Sequence, residues 1–185
     1  TYIGEALLRP RWHAMARRGF CYLPDRELLS PVRTVRWHLQ AIVRQFRLPG
    51  YDAAVEAWVL APLLDERCGA LSSGERRRVE VATAVARGPS CLLADEPYRN
   101  IDPADRTIIA HALRALAATG CAVVVTGHEI EELFAMADSL AWCTDGTTYE
   151  LGSPAEALTH WRFVQEYVGP ARAAQMAASA GPRIH

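Results

Sequence analysis

The chain has 185 residues, about half of them hydrophobic, and a formal net charge of −1. That length supports one domain with a real core and room for a small subdomain. Near-neutral charge gives no electrostatic case for nucleic acid or an anionic membrane as the main partner. The apolar stretches are short and broken by charge, so no apolar helix long enough to span a bilayer is expected.

The first residues lack a basic region followed by an apolar run, so no signal peptide is expected; they also lack a starting Met, as a cut N-terminus would. Gly19-Phe20-Cys21-Tyr22-Leu23 reads as a strand closed by Pro24. Residues 33–48 carry Val35, Leu39, Ile42, Val43 and Phe46 at helical spacing and stop at Pro49-Gly50. A second short helix is predicted over 52–60. A loop leads to Leu71-Ser72-Ser73-Gly74-Glu75, and a helix over 74–87 follows, with Val79, Ala82, Thr83 and Ala86 as its apolar stripe. Cys91-Leu92-Leu93-Ala94 is a continuous apolar run, the mark of a strand buried on both faces. Asp102-Pro103 starts a helix that runs to Gly120. A second buried strand is predicted over 121–126, a helix over 129–137, a strand over 139–143, a hairpin turn at Asp145-Gly146, and closing helices over 154–168. The Ala-rich tail after Pro170 is expected to be poorly ordered. Strands alternating with helices argue for a mostly parallel sheet covered on both faces, interrupted by a helical stretch. The five cysteines show no close pairing or metal-type spacing and are expected to be buried small hydrophobes in a reducing cytosol.

Three places carry chemistry. Asp95-Glu96 stands where an apolar strand ends, the position at which open α/β sheets bind ligands. The first carboxylate suits a Mg²⁺ held through water, the second the positioning or deprotonation of a water molecule. Beginning 24 residues earlier, Leu71-Ser72-Ser73-Gly74-Glu75 places hydroxyls and free backbone N–H groups at a helix start, where the dipole favours an anion. His128, 33 residues after Asp95, follows another strand and is suited to bonding a terminal phosphate. Each feature alone has a plain structural explanation: a strand end, an N-cap, a loop histidine.

In order, they resemble the ATPase subunits of ABC transporters. LSSGERRRVEVATAVA resembles the signature motif, CLLADEP the Walker B strand with its catalytic glutamate, NIDP the D-loop, VVVTGHE the switch-histidine loop and GFCYLPDRELLSPVRTVRWHL the Q-loop stretch. The likeness runs from about residue 17 to residue 170. The closing segments, Tyr149–Pro154 and Glu166–Gly169, look like the lipopolysaccharide-export and branched-chain amino-acid transporter groups.

The resemblance implies a P-loop NTPase-like (RecA-like) α/β fold: a parallel sheet core with a helical subdomain inserted at about 33–75, N-terminally truncated. It makes residues 1–170 a partial ATPase domain, and composition leaves 171–185 as a disordered tail. It implies ATP and Mg²⁺ as cofactors. Glu96 and His128 would be catalytic, and Asp95 and Asp25 would serve the metal. Ser72, Ser73, Gly74 and Glu75 would face the nucleotide of a second ATPase subunit, and Asp102 would couple the two sites. The partners implied are that second subunit and transmembrane permease subunits, with no nucleic acid, and the location the cytoplasmic face of a membrane.

Three departures stand out. Asp25 occupies the Q-loop glutamine position. Ser73 replaces a glycine of the signature. The phosphate loop G-x-x-x-x-G-K-[ST] is missing, and all 20 basic residues are Arg, so its lysine has no counterpart. The reading is therefore of a fragment, inactive alone, whose intact form hydrolyses ATP. The alternative is a truncated, non-catalytic relative that lends its signature motif to a partner's site. A chromosome-maintenance ATPase is disfavoured, because only 45 residues separate Asp25 from Leu71, too few for a coiled-coil arm.

Overall fold

The computed structural model describes residue 9 and residues 11–179, and the chain divides after His128 into two compact units. The residues in which a signal peptide would have been sought lie mostly outside the described ones.

In the first unit, helix α1 (Trp12–Arg17) leads into strand β1 (Phe20–Leu23). Strands β2 (Cys91–Asp95) and β3 (Ala122–Thr126) complete a parallel sheet of order β1-β2-β3, with Phe20 opposite Cys91 and Asp95 opposite Thr126. That register brings the carboxyl ends of β2 and β3 level. The helical stretch comprises α2 (Val35–Phe46), α3 (Asp52–Ala57) and two short 3₁₀ turns. Thr34 caps α2 by accepting Trp37 N–H, and Arg47 ends it in the left-handed conformation. The Arg36 guanidinium then clamps Asp65 through two 2.8 Å bonds, closing the stretch on itself. Trp58 and Leu60 of this stretch are buried.

Helix α4 (Ser73–Ala86) begins in a capping box, with Ser72 and Glu75 bonding each other's backbone N–H groups. Its buried side is wider than the stripe expected from hydrophobicity: Arg77 and Glu80 are buried with Val79, Val81 and Ala82, while Thr83 and Ala86 are only half-buried. Helix α5 (Pro103–Ala118) starts at Asp102, whose carboxylate accepts the Ala104 and Asp105 N–H groups.

Neither strand is buried as the apolar runs suggest. In β2, Leu92 and Ala94 are fully buried while alternate residues are half-buried. β3 is more open: Ala122, Val124 and Thr126 are exposed, Val124 by 50%. Among the described residues β3 is paired on one side only, and its exposed residues alternate along the strand and so share one open face of the sheet, which a continuous valine run does not announce.

The second unit holds α6 (Ile130–Met136), the hairpin β4 (Leu140–Thr144) and β5 (Thr147–Gly152), and then α7 (Pro154–Ala157) and α8 (Trp161–Phe163). A π-turn (Val164–Val168) and α9 (Pro170–Ser179) follow. Asp145 and Gly146 both take positive φ, as a tight right-twisted hairpin requires. Trp142, Leu151, Phe163 and Val168 form the core. The tail expected to be poorly ordered is helical over Pro170–Ser179, with Ala173 in that core; the rest of it lies outside the described residues. Alanine, the best helix former, explains the difference. Cys143, expected buried, is exposed on β4, whereas Cys21, Cys68 and Cys121 are buried and Cys91 half-buried.

Candidate functional site

β2 ends by delivering Asp95 and Glu96 beside the end of β3. Asp95 Oδ1 accepts the Thr126 hydroxyl at 2.5 Å and Oδ2 accepts the Tyr22 hydroxyl at 3.0 Å. These two bonds, Thr126 first, hold the Asp95 carboxyl below the usual carboxylate range, so it is a stable anion at neutral pH. Glu96 adopts φ 47°, a left-handed conformation rare for such a residue. Its N–H is held by Thr126 O at 3.1 Å and Thr126 Oγ1 at 3.2 Å. The turn aims its carboxylate at His128, whose Nε2 lies 3.1 Å from Glu96 Oε1. The imidazole is 81% exposed and the Glu96 side chain 18%, so the pair has one open and one sheltered end.

Asp25 follows β1 and lines a polar cleft of about 400 Å³ with Glu96, Ser73, Arg26, Arg76 and Arg99. Its Oδ2 is paired with Arg99 Nη1 at 3.2 Å, so the carboxylates do not face each other without a counter-charge. Ser73, where a glycine was expected, donates its hydroxyl to Asn100 O at 2.8 Å, tying α4 to the segment that leads to Asp102. Ser72 and Glu75 are occupied with each other, and bonds from the Ser72 backbone and then its side chain keep the Glu75 carboxyl low. Asp102 is likewise engaged in capping α5. Gly74 is a packing glycine: a Cβ there would stand 1.9 Å from Asp105 Oδ2. Asp105 is paired with Arg78, at 2.7 Å, yet burial pushes its carboxyl up.

Asp25, Glu96 and Ser73 therefore share one cleft, and Asp95, Glu96 and His128 share one pair of strand ends. Ser72, Gly74, Glu75 and Asp102 serve helix starts and packing. The sequence reading missed Thr126, Tyr22, Arg77 and Arg99. Thr126 was visible as the last strand residue before Gly127. Arg77 was visible as the charge three residues before Glu80 on one helix face.

The donor set fits Mg²⁺ in one mode only. Among the described residues no group of three or more His, Cys, Asp or Glu side chains could hold a metal by itself. A single anionic carboxylate, Asp95, suits an ion that keeps most of its waters and takes its remaining oxygens from a phosphate. Asp25 would first have to exchange Arg99 for the metal.

Acidic strand ends on a parallel sheet, beside a polar cleft, stand where open α/β sheets bind their ligands. Residues 3–99 match the family described as "ABC transporter". The chain is 32% identical over 167 residues to the lipopolysaccharide export system ATP-binding protein LptB of Escherichia coli, covering 85% of this chain and 68% of that protein. It is 29% identical over 173 residues to its Haemophilus influenzae counterpart, covering 90% and 72%. It is 34% identical over 151 residues to Nod factor export ATP-binding protein I of Ralstonia nicotianae, covering 78% and 47%. A solved structure, "Structure of ATP binding subunit of ABC transporter", superposes with a TM-score of 0.66 at 18% identity, over 90% of this chain and 71% of that one, and supports the fold. The chain belongs to the ABC transporter family, and the relatives it resembles are ATP-binding subunits.

Proposed function

We propose that the protein is the ATP-hydrolysing subunit of a membrane transporter, with Glu96 and His128 at the reacting phosphate. The Glu96–His128 pair at 3.1 Å, beside a carboxylate held anionic, carries this reading. Glu96, sheltered and turned by its backbone, orients and deprotonates the attacking water. His128, on the open end, donates to the terminal phosphate. Asp95 is the residue that would hold Mg²⁺ through water, and the ion when bound offsets charge on the phosphates. Ser72 and Ser73 at the start of α4 face a nucleotide carried by a second ATPase subunit, and Asp102 couples the two sites through α5.

The partner surface is a groove of about 260 Å³ beside α2 and α4, lined by Leu28, Leu29, His38, Ala41, Ile42 and Thr83. Leu28 in that groove is exposed, as is Trp37 against the groove residue His38, and an apolar segment of a permease subunit would cover them. No helix among the described residues is long and apolar enough to cross a membrane. We assign the crossing to that partner and place the protein on the cytoplasmic face.

These 185 residues hold no lysine and no phosphate-loop pattern. Charge-assisted bonds to nucleotide phosphates contribute roughly 1.5–3 kcal/mol each, and about 1.4 kcal/mol is tenfold in affinity. ATP binding by these residues alone is therefore expected to be weak. Calorimetry and phosphate release should be compared for this chain and for a version carrying a phosphate-loop segment upstream. Binding and turnover are expected only in the extended version. An extended version that binds ATP without turning it over would overturn the assignment, whereas steady turnover by the 185 residues alone would overturn only their dependence on an upstream phosphate loop.

A further inference from the structure

Helix α4 reaches the cleft by more than its N-terminus. Arg77 and Glu80, 7% and 4% exposed, are buried charges on one face of that helix. Arg77 Nη1 donates to Pro24 O at 2.8 Å and to Glu80 Oε2 at 3.0 Å. Its Nη2 donates to Asp95 O at 2.8 Å and its Nε to Pro97 O at 3.3 Å. Glu80 Oε1 accepts the Leu28 N–H at 2.9 Å. The carbonyls are not arbitrary. Pro24 immediately precedes Asp25, and Asp95 and Pro97 enclose Glu96.

Stability alone gives little reason for this arrangement, since buried ion pairs are often replaceable by apolar residues of similar volume without loss. What an apolar residue cannot do is hold carbonyls from two separate segments at fixed positions. A planar guanidinium can, because its donors diverge in a rigid fork, whereas a lysine is a single point of charge. Glu96 needs such holding. A residue at φ 47° keeps that conformation only where its surroundings over-determine it. Thr126 bonds its N–H, and Arg77 bonds the carbonyls on either side of it.

We propose that Arg77 is a positioning residue, locked by Glu80, that fixes the Asp25 loop and the Glu96 peptide to the helix bearing Ser72–Glu75. The signature helix and the two loops of the cleft are thus joined at one guanidinium. Two lesser contacts run the same way: Ser73 to Asn100 O, and Arg76 to Glu27. The catalytic part of this proposal rests on the hydrolytic reading above; the mechanical part does not.

Amide hydrogen exchange on the 185-residue chain tests the mechanical part without ATP. In Arg77→Lys, exchange at residues 24–30 and 95–101 should quicken by about tenfold or more, the scale of a lost charged hydrogen bond, while α5 and β3 stay unchanged. Arg77→Met should do the same more strongly; if it fails to fold, Arg77→Lys decides. Equal acceleration through α5 and β3, or none in the two loops, would overturn the proposal. In the version extended by a phosphate loop, Arg77→Lys should lower kcat about tenfold or more with KM for ATP within about threefold. A change confined to KM would overturn the catalytic part. An extended parent without turnover would instead count against the hydrolytic reading, and the exchange result would still decide the role of Arg77.

Discussion

Around Glu96 the first unit is fastened by directional bonds to backbone carbonyls, whereas the second unit is fastened by rings. Beyond Glu129, Phe163 stacks on Phe134 at 6.3 Å and meets Trp142 at 5.6 Å, with Tyr149 and Tyr167 against the same tryptophan. Arg162 lies over both Tyr149 and Trp142. Apolar burial scales with area and tolerates small shifts in position, while a hydrogen bond weakens steeply when its geometry is lost. The second unit is thus built for cohesion and the cleft of the first for placement. Substitutions should divide accordingly between those that cost stability and those that cost chemistry.

The largest expected effect falls on the ring cluster. Trp142→Ala should destabilise the second unit by about 3–5 kcal/mol, read by urea unfolding. A loss under about 1 kcal/mol would mean that the rings do not carry that core. Smaller is Gly74→Ala, whose Cβ would stand 1.9 Å from Asp105 Oδ2. Overpacking of that kind costs about 1–3 kcal/mol, partly offset by the roughly 1 kcal/mol better helix propensity of alanine. Because Asp105→Ala alone unpairs Arg78, the test is a double-mutant cycle: in the Asp105→Ala background the added cost of Gly74→Ala should largely vanish, and if it persists, that contact is not its cause.

Acid sharpens the comparison further. The Asp95 carboxyl is depressed in the folded protein by Thr126 and Tyr22, and the Glu131 carboxyl of the second unit by Arg172. A depressed acid stabilises the fold fully above its ordinary value and loses that contribution as pH falls through the lower folded value, so both should weaken below about pH 4. Asp95→Asn should flatten the acid limb of the first unit's stability curve and leave the second unit's unchanged. An identical acid limb in the variant would remove Asp95 from the account.

Much of the scaffold was legible because its signals are local. Ser72 with Glu75, Asp102 with Pro103, and Asp145 with Gly146 announce a helix start, a second helix start and a hairpin within four residues each. The order of the strand ends placed Asp95, Glu96 and His128. What stayed hidden depends on residues far apart in the chain. Nothing near Arg77 announces Pro24, and nothing near Asp25 announces Arg99. The exposure of Val124 depends on what covers that face of β3, which a run of valines does not encode. The helix over Pro170–Ser179 is carried by its alanines, whose helix propensity outweighs the sparse content of large apolar residues.

In the proposed function Glu96, turned toward His128, performs the chemistry. The direct measurement is phosphate release and ATP affinity of Glu96→Gln in the version carrying a phosphate loop. The amide keeps the shape and loses the base, so ATP binding should persist while turnover falls by about 10²-fold or more. Turnover that survives the change would contradict the account.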